Sequence, residues 1–356
     1  MTFIHQNLSK QLTTIHQNDP TASERKRDHI ELAFQSQIRT GELDARFYYE
    51  PILAAHPKAG SLLATNILGR KLNTPIWVSS MTGGTELAKT INQNLARACR
   101  EFGMGMGLGS CRSILRSNDR LQDFDIRPII GDDMPLYTNL GIAQVEQLLF
   151  NKEVYLVDVM QDKLQADGLI IHVNPMQEWL QPEGDIIEQS PLKTIQDFIS
   201  ERPDMKIIVK EVGQGMGYES LKALFQLPIE AVDFAASGGT NFAKLELLRS
   251  EPAKQLIFEQ IAHLGHSAEE MVAMSNAIQL ELGDKMLCKQ VIISGGVRNF
   301  LDGYYLTQKL QMNSVYGQAS AFLEHARGEY EELHQYVAAQ VRGLELANAF
   351  LKVKTV

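Results

Sequence analysis

Eight short apolar runs rich in strand-forming residues recur from Pro75 onward with helical patterns between them, and nothing else in the sequence limits the fold as tightly. Their cores are read at residues 76–80, 105–109, 136–140, 169–173, 206–211, 231–235, 291–294 and 314–317. Most are separated by roughly 25–40 residues, room for a loop, a crossover helix and a return, so the strands are expected to be parallel. Leu87, Ile91, Leu95, Ala98 and Phe102 follow helical spacing and would cover the first strand. In the longest gap, Ser267-Ala268-Glu269-Glu270 reads as a capping box for a helix running to about Gly283. Past the last strand, Tyr330, Leu333, Val337, Val341, Leu344, Ala347 and Leu351 predict a long amphipathic helix, packed on the barrel or against another subunit. The reading is an α/β chain: a (β/α)8 barrel with its C-terminal helix over 61–356, behind an N-terminal extension over 1–60.

Length alone does not choose this reading, since 356 residues could equally make two ordinary domains. No linker, low-complexity tract or solenoid repeat divides the chain. The net charge of −9 argues against a broad nucleic-acid or anionic-membrane surface, so any anionic ligand must be held by a local cluster. Cys99, Cys111 and Cys288 are too few and too scattered for a disulfide framework or a thiolate metal site. Residues 1–22 read as a polar leader, and no run reaches the ~18 apolar residues of a membrane span. A soluble, unprocessed protein in the reducing cytoplasm is expected.

The chemistry concentrates where the fourth strand ends. The apolar run 169–171 gives way to His172, Asn174, Gln177 and Glu178, at the end of a barrel strand where such folds place their active sites. Asn174 and Gln177 donate and accept hydrogen bonds, His172 can titrate, and Glu178 offers the hard carboxylate oxygen that Mg²⁺ prefers. The plain alternative is a capped loop before a helix, with Trp179 packed beneath it. Four polar groups in seven positions favour a site.

Glycine turns follow the later strands. Ser237-Gly238-Gly239-Thr240-Asn241, Ser294-Gly295-Gly296-Val297-Arg298 and Gly317-Gln318-Ala319-Ser320 let backbone N–H groups approach phosphate oxygens, although tight βα turns need glycine anyway. Earlier strand ends, Ser79-Ser80-Met81-Thr82-Gly83-Gly84, Gly107-Leu108-Gly109-Ser110 and Asn139-Leu140-Gly141, suit a flat polar cofactor. Lys210 closes the fifth strand, and a buried lysine there needs an anionic partner. Glu211 is the simplest one, yet successive strand residues face opposite ways. Near the start, Ser23-Glu24-Arg25-Lys26-Arg27-Asp28-His29-Ile30 gathers three cations and a histidine, either a solvated helix start with Ser23 as N-cap or a diphosphate clamp.

The stretch His172-x-Asn174-x-x-Gln177-Glu178-x-x-Gln181-Pro182-Glu183-Gly184-Asp185 resembles the signature of type 2 isopentenyl-diphosphate isomerases, flavin-dependent enzymes on a TIM barrel. So do Arg25-Lys26-x-Asp28-His29-Ile30, Met81-Thr82-Gly83-Gly84, Gly109-Ser110-x-Arg112, Val209-Lys210-Glu211-Val212-Gly213, Gly238-Gly239-Thr240 and Ser294-Gly295-Gly296-Val297-Arg298. The resemblance implies FMN over the barrel mouth, held by Ser80, Met81, Thr82, Ser110, Asn139, Lys210, Thr240, Gly295, Gly296, Arg298, Gln318 and Ala319. It implies a diphosphate clamp of Arg25, Lys26, His29, Ser110 and Arg112, with His172, Asn174 and Gln177 at the reacting centre and Glu178 on Mg²⁺. The implied reaction, in isoprenoid biosynthesis, interconverts isopentenyl and dimethylallyl diphosphate. One proton is added and another removed on FMN charged by NADPH, in a homotetramer or homo-octamer.

Two departures stand out. Cys111 replaces a frequent glutamine, and Ala235-Ala236 a usual Ser-Gly pair. Three rivals share parts of the pattern. An FMN-dependent 2-hydroxy-acid oxidase needs a histidine base after a late strand, where 237–242 has none and His263 and His266 lie well downstream. An inosine-monophosphate-dehydrogenase-like enzyme would use Cys111 as nucleophile. A flavin carrier or sensor would need no diphosphate cluster.

Overall fold

The computed structural model describes residues 21–62, 64–80 and 86–354, so the expected leader over 1–22 falls almost wholly outside it, as do Met81 and Thr82. All eight expected strands are present: β1 (Ile76–Val78), β2 (Gly105–Gly107), β3 (Leu136–Gly141), β4 (Gly168–His172), β5 (Ile207–Lys210), β6 (Ala231–Asp233), β7 (Gln290–Ser294) and β8 (Asn313–Gln318). They pair in parallel in chain order, and β8 returns to β1 with Tyr316 against Ile76 and Gln318 against Val78, closing the ring. Each strand is covered on both faces, the inner by the barrel core and the outer by helices, which is why these runs read as continuous rather than alternating hydrophobics.

A bulky layer fills the inside of the ring. Trp77, Tyr137, Ile170, Ile208, Ile292 and Val315 pack together with Ile67, Leu68 and Leu72. These last three come from an antiparallel hairpin, Thr65–Ile67 with Arg70–Leu72, that plugs the ring where the strands begin. Gly105 makes room for this layer, because a Cβ there would lie 2.4 Å from the Trp77 ring. With that mouth stopped, the strand carboxyl ends form the open rim.

The helical expectations largely hold. Glu86–Phe102 buries Ile91, Leu95 and Ala98, whereas Leu87, in its first turn, is 49% exposed and lies off the packed stripe. Ser267 and Glu270 form the reciprocal capping box of helix Ala268–Leu282, which stops at Gly283 with φ 52°. Helix Tyr330–Phe350 buries Leu333, Val337, Leu344 and Ala347 against helices Glu86–Phe102, Phe300–Lys309 and Ser320–Ala326, so it packs on its own barrel.

Two compact units divide at Phe47 and Tyr48. Within the first, helix Ala22–Leu32 presents Arg25, Lys26 and His29 to solvent. Its N-cap position is Thr21, which corrects the expectation for Ser23: that residue lies inside the first turn. No helix among the described residues is long and apolar enough to cross a membrane.

Below the barrel, Asp167 leads into β4 and ties three segments together. Its carboxylate accepts from Arg70 at 2.7 Å, Arg127 at 2.8 Å and the Leu136 N–H at 2.9 Å. Buried Arg127 also donates to the carbonyls of Gln165, Gly131 and Met134. Burial alone would raise the Asp167 carboxyl, but these bonds outweigh it and hold it below the usual carboxylate range. The stability this contributes is present above the unfolded value near pH ~4 and is lost as pH falls through the folded one. Arg127→Met, which takes the buried one of two cations from the half-buried Asp167 carboxylate and the donor from three backbone carbonyls, should cost about 3 kcal/mol in urea unfolding at pH 7, and less below pH ~4. A loss under about 0.5 kcal/mol at pH 7 would remove this latch from the account.

Candidate active site

The rim carries two adjoining constellations. The first is a cavity of about 500 Å³ over the ends of β5 to β8 and β1. Of the residues expected to hold a cofactor, it gathers Ser80, Lys210, Thr240, Gly295, Gly296, Arg298, Gln318 and Ala319. Gly295, at φ 86°, lies where a Cβ would sit 2.0 Å from the Ala236 carbonyl oxygen, and a Cβ on Gly238 would meet the Gly296 Cα at 3.1 Å. Only glycine lets these two turns close over one another. Ser110 is exposed and Asn139 is buried beneath the rim, and neither lines the cavity.

Lys210 is buried at the floor, its Nζ donating to the Glu211 carbonyl oxygen at 2.6 Å. The Glu211 carboxylate is committed elsewhere, since its Oε2 accepts the N–H groups of Gly213, Gln214 and Gly215. Asp233, fully buried and opposite Lys210 in the ladder, accepts the Ser294 hydroxyl. Burial raises its carboxyl while Lys210 and Ser294 lower it, with a net rise. At the eighth strand, Gln318 donates to the Val297 carbonyl and accepts the Tyr336 hydroxyl, which ties the C-terminal helix to a residue of the cavity wall.

The second constellation grows from β4. His172 ends the strand with Nδ1 2.7 Å from Asn139 Oδ1, while Asn139 Nδ2 donates to the Leu108 carbonyl. That second bond fixes the amide, so His172 donates from Nδ1 and keeps Nε2 as an acceptor. Burial and the nearby Lys210 charge push the imidazole down to about 3, which leaves it neutral at physiological pH. Helix Pro175–Leu180 follows at once. Asn174 Nδ2 donates to Gln177 Oε1 at 3.1 Å and Glu178 Oε1 at 2.9 Å, and its own Oδ1 is buried without a partner among the described residues. Trp179 is 75% exposed, so it does not pack beneath the loop as the plain alternative required.

Several contributors escaped the sequence reading. Buried Glu246, on helix Phe242–Arg249, accepts from Gln177 Nε2 at 3.5 Å and from Arg249 at 2.6 Å, and Arg249 reaches Glu183 at 2.6 Å. An acid and a cation three apart on one helix face was the available signal. Gln144, Asp233 and Tyr336 carry no local pattern of this strength, and Asp185 stood at the end of the His172 motif without a role. Cys111 is buried, with its thiol pushed up to about 12 by burial, a poor nucleophile. The His266 backbone meets Ser237, but His266 is not among the cavity residues. Among the described residues, the cavity is therefore lined neither by a histidine after a late strand nor by Cys111.

No family model matches the chain. Among solved structures, flavocytochrome b2 with sulfite bound overlays with a TM-score of 0.58 at 15% identity, covering 85% of this chain and 72% of that one. Mandelate oxidase with the monooxide FMN adduct gives 0.52 at 14%, covering 87% and 88%. Such identities speak to architecture, and the class they join to the closed ring and its rim cavity is that of TIM-barrel enzymes. Sequence relatives go further. Isopentenyl-diphosphate delta-isomerases are 31% identical over 310 residues in Rickettsia typhi, covering 85% of this chain and 86% of theirs, and 30% over 330 residues in Rickettsia felis, covering 91% of each. The chain belongs to the isopentenyl-diphosphate delta-isomerase family.

The neutral His172 is open to direct test. Imidazole ¹⁵N shifts should show it uncharged, with the Nδ1 proton, from pH 8 to pH 5. Because the unfolded chain takes up that proton near ~6.5 and the folded one does not, acid should erode stability from about that pH downward. A folded-state midpoint near 6.5 would contradict the assignment.

Proposed function

We propose that this isomerase interconverts isopentenyl diphosphate and dimethylallyl diphosphate with FMN in the rim cavity, reduced by NADPH, and with Mg²⁺ on Glu178. The observation that carries the reading is the relationship to the Rickettsia isomerases along nearly the whole barrel. The cavity fits a flavin phosphate: paired glycine turns leave backbone room, Lys210 supplies charge, and the buried hydroxyls of Ser79 and Ser80 have no partner among the described residues. Thr240, Gly295, Gly296, Arg298, Gln318 and Ala319 would hold it together with Ser80 and Lys210. Ser110, Asn139, Met81 and Thr82 are assigned to it on motif alone. When bound and reduced, FMN would supply an electron-rich ring and acid–base chemistry beside the double bond.

The chain's own residues do the positioning. An alkene is a poor base, so its protonation needs an exact approach and protection for the cationic charge that develops. Neutral His172 and the buried Asn174 oxygen offer acceptors without adding positive charge. Gln177, backed by Glu246, holds or relays the proton. Glu178 would hold Mg²⁺ through its carboxylate, and Arg112 and Ser110 would donate to the substrate diphosphate. Arg25, Lys26 and His29 of the 1–60 extension, exposed on one helix, are assigned to the diphosphate on their motif alone. No net oxidation occurs, because one proton enters and another leaves.

Three buried free cysteines suit a reducing cytoplasm, and exposed Leu248, Leu256 and Ile257 suit the contacts of a homotetramer or homo-octamer. The oxidase reading finds no histidine among the described residues that line the cavity.

Incubated with FMN, NADPH, Mg²⁺ and isopentenyl diphosphate, the protein should form dimethylallyl diphosphate. Failure to form it would overturn the proposal. Gln177→Leu should lower kcat about 100-fold or more while FMN stays bound, and near-normal turnover would take Gln177 out of the chemistry. Glu178→Gln should raise the Mg²⁺ needed for half-maximal rate by about tenfold or more. An unchanged requirement would place the ion elsewhere.

A further inference from the structure

The stretch that opens at His172 ends in Gly184-Asp185, and the proposed chemistry leaves that end without a task. Asp185 accepts from Arg112 at 2.7 Å and from Gln144 Nε2 at 2.8 Å on Oδ2, and from Gln147 Nε2 at 3.4 Å on Oδ1. Its own N–H donates to Glu178 Oε2 at 2.8 Å. Gln144 is itself anchored, since its Oε1 accepts the Gly141 N–H at 3.0 Å where β3 ends. One residue thus joins the loop after β2, the helix after β3 and the loop after β4.

Local backbone makes this possible. A Cβ on Gly184 would lie 2.0 Å from the Glu178 carbonyl oxygen, so only glycine lets the chain fold back closely enough for Asp185 to reach Glu178. The Asp185 side chain is mostly covered, at 19% exposure, whereas Arg112 remains 57% exposed. The carboxylate therefore grips one edge of a guanidinium whose other donors face solvent, the arrangement that presents a planar fork to an incoming anion. Unbraced, a long exposed arginine would lose rotamer freedom on each binding event.

We propose that Asp185 is a positioning residue: it holds the Arg112 fork and the Glu178 carboxylate in fixed relation, so that one diphosphate meets both the cation and the metal-binding acid. The inference rests on the reading of Arg112 and Glu178 as the diphosphate and Mg²⁺ groups. It adds the residue that sets their spacing. The alternative is that Asp185 merely occupies Arg112 in place of the ligand, in which case its removal would strengthen anion binding rather than weaken it.

Calorimetric titration of the FMN-loaded full chain with pyrophosphate in the presence of Mg²⁺ separates the two. Asp185→Ala should weaken pyrophosphate about tenfold or more and raise KM for isopentenyl diphosphate by more than it lowers kcat, with FMN affinity unchanged. Asp185→Asn, which keeps an acceptor oxygen for Arg112 and Gln144, should recover most of the affinity. Arg112→Met is the control for the underlying reading. If Arg112→Met weakens pyrophosphate while Asp185→Ala leaves it unchanged or tighter, the positioning role is overturned and the clamp stands. If Arg112→Met has no effect, clamp and positioning role fall together. Should Asp185→Ala unfold, Gln144→Met frees the same carboxylate from its brace and must weaken pyrophosphate in the same direction, or the inference fails.

Discussion

Closing the ring is the constraint from which the rest follows. Once β8 pairs with β1 in parallel, every strand runs the same way and every βα loop emerges at one rim. The hairpin carrying Ile67, Leu68 and Leu72 plugs the opposite mouth, so the interior is core and the rim alone can bind. Polar residues at strand ends that are distant in sequence, such as Ser80, Lys210 and Arg298, then line one cavity without any local signal having joined them.

The electrostatics of that rim are settled by where carboxylates are spent. Glu211 takes three backbone N–H groups and Glu246 takes Arg249, while Asp185 takes Arg112. Lys210 is left sharing its charge with Asp233, an acid that burial drives toward its neutral form. Among the described residues Lys210 makes no ion pair within salt-bridge distance, so an anion bound in the cavity would be a better partner for that ammonium group. Burial first, and that same positive charge second, keep His172 neutral, so the lysine helps to withhold a second cation from the reacting centre.

Much of this was legible beforehand because parallel strands covered on both faces are continuous apolar runs, and turns that must approach a ligand carry glycine. The strand positions, the Ser267 capping box and the C-terminal helix followed from those local rules. Leu87 misled because helical spacing does not say where a stripe begins to pack. The contacts of Asp185 and Gln144 were hidden for a different reason: their partners come from separate βα loops, and only the closed ring makes them neighbours. Ala235, at φ 42°, holds a left-handed conformation that glycine would take without strain, and nothing in composition announces it.

On the proposed function, Lys210 would supply the positive charge against which a reduced, anionic flavin is held. The direct measurement is the two-electron midpoint potential of bound FMN, equilibrated against a reference dye, in the wild-type protein and in Lys210→Met. The account predicts a more negative potential in the methionine variant, because the reduced form loses its counter-charge while the oxidised form loses little. An equal or more positive potential would contradict it.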